Sequence, residues 1–202
     1  MKKTKVFGIG FHKTATTSLA DALTLLGYNV TGPDGAHDPE ISEKVHSLVY
    51  ELADKFDAFQ DNPWPLFYKE LDEKYPNSKF ILTTRPTDKW IDSQVKHFGK
   101  KTTPMRKWIY GDVYGAPEGN ESIYTSRYDN HNNEVLEYFK DRPDDFLHFK
   151  LTEGDGWDSL CNFLGESVPN KPFPKSNTRE LRESNRSLTN RLVNKVKHTL
   201  FG

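Results

Sequence analysis

The stretch that most constrains this chain runs Lys5-Val-Phe-Gly-Ile-Gly-Phe-His-Lys-Thr-Ala-Thr-Thr-Ser18 and continues through Leu19 to Gly27. A short apolar run, Val6 to Phe11, carries two glycines and leads into Lys13-Thr14. Apolar residues then recur at Leu19, Ala22, Leu23 and Leu26, which is helical spacing, and Gly27 stands where such a helix ends. Strand, tight loop and helix in that order turn backbone N–H groups and the positive end of a helix dipole toward an anion. Lys13 adds a point charge, and Thr14, Thr16, Thr17 and Ser18 add hydroxyl donors around it. The stretch therefore predicts an oxyanion site of the phosphate type, with His12 and Ala15 inside its loop.

Set against the Walker A pattern, Gly8 to Thr14 keeps the first glycine, the lysine and the threonine, but His12 stands where the last glycine belongs. That glycine lets the loop wrap a β-phosphate, so the substitution weakens a nucleoside-triphosphatase reading. A second anchor lies at Lys79-Phe-Ile-Leu-Thr-Thr84, a β-branched and apolar run of strand length. Arg85-Pro86 ends it, and a helix follows from Thr87 or Asp88, both good N-caps. Arg85 then sits at the carboxyl end of a strand, where open α/β sheets bind ligands, with Ser93 about two helical turns on. A guanidinium fork and a helix hydroxyl suit a second phosphate.

Between and after these anchors, strand and helix patterns alternate. Tyr28 to Val30 and Asp57 to Gln60 are short strand candidates, Pro39 to Phe56 and Trp64 to Tyr75 are helical, and Asp145 to Lys150 alternates as a strand. Glu121 to Asp141 is a polar-faced helix with Tyr124, Tyr128, Val135, Leu136 and Phe139 inward. Trp157 leads a helix to Gly165. The alternation implies a mainly parallel sheet of about four to five strands, flanked by helices in three layers within one α/β domain spanning 1–202. Residues 100–120 break the pattern, carry Trp108, Tyr110 and Tyr114, and are expected to cover a substrate. Pro169 to Asn177 is an extended loop, and 178–202 is expected to be a charged helix.

Lys and Arg number 28 against 29 Asp and Glu, a net charge of −1, which argues against a dedicated nucleic-acid or membrane surface. Cys161 is the only cysteine, so no intrachain disulfide or cysteine metal site is expected. The N-terminus lacks a secretory pattern and no run approaches a bilayer span, so a soluble, cytoplasmic protein is expected.

Taken together, the motifs resemble the P-loop sulfotransferases. Lys13-Thr-Ala-Thr-Thr-Ser18 is similar to their 5′-phosphosulfate loop, and Arg85 with Ser93, eight residues apart after a strand, to their 3′-phosphate motif. The tail Glu153-Gly-Asp-Gly-Trp-Asp-Ser-Leu-Cys-Asn-Phe-Leu-Gly165 and the prolines after it are similar to one branch of that family. The resemblance, from about Val6 to Asn177, implies a P-loop-like fold. It also implies 3′-phosphoadenosine 5′-phosphosulfate (PAPS) as donor and 3′,5′-ADP as product, with no metal demanded. The acceptor would be a hydroxyl or amine on a small molecule or glycan. Lys13 to Ser18 would hold the 5′ end, Arg85 and Ser93 the 3′ end, and a late basic loop suggests Lys175 as a further nucleotide contact.

The resemblance implies a base as well: cytosolic members of that family place a His before an x-Pro pair, and glycan-modifying relatives use a Glu nearby. Here Asp61-Asn62-Pro63 stands in that place, 24 residues before Arg85. A carboxylate at its ordinary pKa of about 3.9 is a weak base for an alcohol unless burial raises it. Asp61 and His37, in a polar loop after the first βα unit, both stand as candidates, with Lys13 as the cation that stabilises the leaving group. Two rival readings remain open: a small-molecule kinase using ATP and Mg²⁺, and a non-catalytic nucleotide-binding protein.

Overall fold

The structure, a computed structural model, describes residues 3–176. Five strands, β1 (Val6–Gly8), β2 (Val30–Thr31), β3 (Ala58–Phe59), β4 (Lys79–Thr83) and β5 (Phe146–Phe149), form one sheet in the order β2-β3-β1-β4-β5. Every pairing is parallel. Seven α-helices accompany it among the described residues: α1 (Thr16–Leu25), α2 (Ile41–Lys55), α3 (Tyr68–Lys74), α4 (Thr87–Phe98), α5 (Pro104–Tyr110), α6 (Glu121–Tyr138) and α7 (Trp157–Leu164). The expected three-layer α/β architecture is present, with a sheet that is wholly rather than mainly parallel. None of the described helices is long and apolar enough to cross a membrane.

Strand register explains the core. Phe7 is paired with Phe59 and Phe80, and Phe80 with Phe146, so one face of four neighbouring strands carries a row of aromatic rings. Phe7 stacks on Phe59 at 4.7 Å and on Phe80 at 5.4 Å, and Phe139 of the α6 end closes the row against Phe146 at 5.0 Å. Each such contact contributes about 0.5–1.5 kcal/mol beyond area burial. α2, α3, α4 and α6 pack on this face. The alternate residues, Val6, Ala58 and Ile81, face α1 and α7 with Leu19, Leu23, Trp157, Leu160 and the buried Cys161. Right-handed crossovers account for the split, since α1 leaves β1 toward one edge while the β3-to-β4 connection passes β1 toward the other.

β1 stops at Gly8, and Gly10 beyond it lies so close to Thr83 that a Cβ would stand 2.1 Å from its Oγ1. Two expectations about local structure need correction. Thr87 does not cap α4. It is the first helical residue, and its hydroxyl donates to Asp129 at 2.7 Å on α6. Residues 100–120, expected to be irregular, contain α5, whose N-cap Thr103 accepts the Arg106 N–H. The expected helix over 178–202, and Asn177 of the late loop, lie outside the described residues.

Candidate active site

Because all five strands are parallel, the segments after them emerge at one edge. Lys13 follows β1, Asp61 follows β3 and Arg85 follows β4, three adjacent strands. The sequence-predicted anion residues therefore share one sheet edge.

The loop from Ile9 to Ala15 is held by its carbonyls. Ile9 O is bonded to His131 Nε2 (2.8 Å) and Phe11 O accepts from Thr14 Oγ1 (2.6 Å). His12 O accepts twice, from Trp90 Nε1 (2.9 Å) and Gln94 Nε2 (3.0 Å). In a planar trans peptide the N–H points opposite to the carbonyl, so an inward His12 C=O turns the Lys13 N–H the other way. Lys13 and Ala15 both have positive φ, 70° and 71°, with Thr14 between them outside that region. Alternation of this kind curls successive N–H groups into an anion-binding concavity. The N-cap residue of α1 is Ala15, whose methyl group cannot accept from the first-turn N–H groups.

His12 resolves the missing glycine of the Walker-like pattern. Its ring is buried in a slot with Phe11, Trp90, Phe98 and Tyr110 at centroid distances of 5.8–6.2 Å, and the freedom a glycine would supply is taken up at Lys13 and Ala15. Asn62 Nδ2 lies 2.9 Å from His12 Nδ1 and ties the loop to the segment carrying Asp61. Burial, then the charge of Arg106, lowers the His12 pKa to about 3, and burial lowers that of His131 to about 4. Both rings are neutral at ordinary pH.

These two histidines make a stability prediction. The unfolded chain binds their protons below about pH 6.5, while the folded chain refuses them until pH falls toward its depressed values. Stability is thus full above about pH 6.5 and is lost on acidification. Each histidine accounts for about 2 kcal/mol between pH 6.5 and 5. Asp34 and Asp61, whose pKa values burial raises, act in the opposite sense. Urea titrations at pH 7 and 5 should show the acid loss, and His131→Asn should remove about half of the histidine part.

The remaining predicted residues fall as follows. Thr14 is fully buried, its hydroxyl also within 2.7 Å of Thr83 Oγ1, so its side chain faces the interior. Thr16 Oγ1 donates to Asp61 Oδ2 at 2.8 Å, joining the anion loop to the candidate base. Asp61 is half-buried, at φ 64°, and its Oδ1 accepts the Asn62 N–H at 2.7 Å. Desolvation holds its pKa above the usual carboxylate value, with the Asn62 and Thr16 bonds and the Lys13 charge opposing. Thr17 is exposed. Ser18 Oγ accepts the Ser176 N–H at 3.0 Å, which brings the late loop bearing Lys175 to the first turn of α1. Arg85 and Ser93 are half-buried at the β4–α4 corner, and His37 is exposed on the 32–40 loop without a described bond to Lys13 or Asp61.

Tyr128 holds the Arg85 backbone at both ends: its hydroxyl accepts the Arg85 N–H and donates to the Arg85 carbonyl, each at 2.9 Å. Sequence reasoning missed this role, as it missed Gln94, Asn62 and His131. The usable signal was spacing, since Trp90 and Gln94 lie one helical turn apart on one face of α4.

Pro39, the start of α2 and α5 border a groove of about 450 Å³ lined by Pro39, Ile41, Ser42, Thr103, Lys107 and Trp108. The 32–40 loop is tied to the edge through Asp34 N–H to Asn62 O (3.0 Å) and Trp64 Nε1 to Asp34 (2.9 Å). Arg106 anchors the α5 wall, lying over Phe98 and donating to Gly115 O (3.2 Å) and Lys101 O (2.7 Å).

Comparison with known proteins fits this geometry. A family described as "Sulfotransferase domain" matches residues 5–112 and 94–181. The "Ava biosynthesis cluster protein M" of Aspergillus versicolor is 26% identical over 149 residues, 61% of this chain and 55% of that protein. The chain thus spans about half the length of this curated relative. With most of its residues matched, this chain belongs to the sulfotransferase domain family.

Proposed function

We propose that the protein transfers a sulfuryl group from PAPS to a hydroxyl or amine of a small acceptor, releasing 3′,5′-ADP. The observation that carries this reading is the shared edge: an inward-pinned loop and the N-terminus of α1 after β1, with Arg85 after the adjoining β4. Lys13 and the N–H groups of residues 13–18 hold the 5′-phosphosulfate, with Thr16, Thr17 and Ser18 around it. Arg85 and Ser93 hold the 3′-phosphate, and Lys175 contributes from the late loop. PAPS supplies the activated sulfuryl group. The acceptor oxygen attacks sulfur, the bond to the bridging oxygen breaks, and the acceptor proton passes to Asp61. Lys13 stabilises the charge that builds on the departing oxygen, as preorganised cationic donors do. Asp61 is preferred over His37 as base because it is bonded to Thr16 of the loop and its pKa is shifted toward neutrality.

The groove between the start of α2 and α5 is assigned to the acceptor, with residues 100–120 forming one side of it and covering the substrate. Its volume falls in the range of small-molecule sites, about 300–1,000 Å³.

The test is a comparison of thermal stabilisation by 3′,5′-ADP and by ATP with Mg²⁺. At a hundredfold excess over Kd a ligand stabilises by about 2.7 kcal/mol, or roughly 2–4 °C per kcal/mol for a chain of this size. Stabilisation by 3′,5′-ADP is expected. Stabilisation by ATP–Mg²⁺ alone would favour a kinase and reject the reading.

A further inference from the structure

We propose that Trp90, Gln94 and Tyr128 form a positioning clamp that sets the 5′ and 3′ anion pockets at one fixed separation. This deepens the donor reading above and rests on it. The connection is continuous. Trp90 and Tyr128 are buried and stacked, with ring centroids 4.2 Å apart and planes within 8°. The Tyr128 hydroxyl bonds both backbone groups of Arg85, so the start of the 3′ pocket is fixed to that ring. The Trp90 indole N–H and the Gln94 amide converge on the His12 carbonyl and fix the peptide that leads into Lys13. Both donors stand on α4, the helix that also carries Ser93. One helix and one ring pair thus touch the loop on one side and the arginine on the other.

Packing alone does not account for Gln94. It is fully buried, and its amide faces both the carbonyl and the ring of His12. A methionine of similar volume would fill the same space without addressing the loop. If Gln94 only filled space, Gln94→Met would be neutral or stabilising and would leave ligands untouched. If it orients the loop, the same variant keeps its stability and loses the 5′ pocket.

The experiment is calorimetric titration of the full chain and two variants with 3′-AMP, 5′-AMP and 3′,5′-ADP, after checking the melting temperature of each free protein. Gln94→Met should weaken 5′-AMP and 3′,5′-ADP by about tenfold and leave 3′-AMP within about twofold. Tyr128→Phe keeps the stack but removes the bonds to Arg85. It should weaken 3′-AMP and 3′,5′-ADP by about tenfold and spare 5′-AMP. That crossed pattern supports the clamp. Equal losses for all three ligands, or no losses, overturn it while leaving the donor reading in place. Failure of the wild-type protein to bind any of the three overturns both.

Discussion

Asp61→Asn is expected to lower the transfer rate by about 10²–10⁴-fold, the range for loss of a general base, while the protein becomes no less stable at neutral pH. The two effects have one cause. Burial disfavours the Asp61 carboxylate, so the folded chain holds this proton to a higher pH than the unfolded chain does. Between the unfolded pKa of about 3.8 and the raised folded value, the native state binds more protons than the unfolded state, and stability falls as pH rises. Above that window the ionised group is a standing cost, which a neutral amide removes. Thr16 can turn its hydroxyl to accept from the new amide, and asparagine tolerates the φ of 64°. Nucleotide affinity should stay within about threefold, since the carboxylate is assigned to the acceptor proton. The acid limb of the wild-type pH–rate profile should lie above the usual aspartate range. Full activity in Asp61→Asn would transfer the role to another group, with His37→Asn the next variant to make.

Lys13→Ala is expected to lower kcat by about 10²–10³-fold, the loss measured when one preorganised donor to a developing oxyanion is removed. Lys13 is half-buried and not part of the core, and alanine meets the same φ of 70°, so the fold should survive with little change in melting temperature. kcat and kcat/KM should fall together, as they do when an interaction is made mainly in the transition state. Lys13→Arg should not restore the rate, because a planar fork does not replace a compact point charge on a mobile stem. A variant that raised KM alone would make Lys13 a simple binding contact.

The skeleton of the fold was legible because its elements are locally consistent. The apolar runs that start at Val6 and Lys79 read as strands, the stretch through Leu19 to Leu26 and that from Thr87 or Asp88 to about Phe98 as helices, and the alternation implied a mainly parallel sheet, which is parallel throughout. What escaped local reading depended on partners far along the chain. Gly10, beyond the end of β1, lies against Thr83. The start of α4 is set by Asp129, which takes the Thr87 hydroxyl that propensity had assigned to a cap.

The candidate site stands out in the sequence by its charged residues and not by their supports. Lys13, Asp61 and Arg85 announce themselves by type and by their position after strands. His12 was visible only as a missing glycine; that its ring turns into an aromatic slot, leaving Lys13 and Ala15 to adopt left-handed backbone, has no local signature. His131 lies on a helix that reads as polar, yet it is buried and bonded to Ile9 O across 122 residues.

If separate cationic pockets grip opposite ends of one adenosine nucleotide, calorimetry of Arg85→Ala with 3′,5′-ADP and 5′-AMP will tell the two ends apart. The wild-type protein should prefer 3′,5′-ADP by about tenfold to a hundredfold, as a charge-assisted phosphate contact provides, and Arg85→Ala should erase that preference while leaving 5′-AMP unchanged. Equal losses for the two ligands, or a wild-type protein that does not distinguish them, would contradict the two-pocket reading.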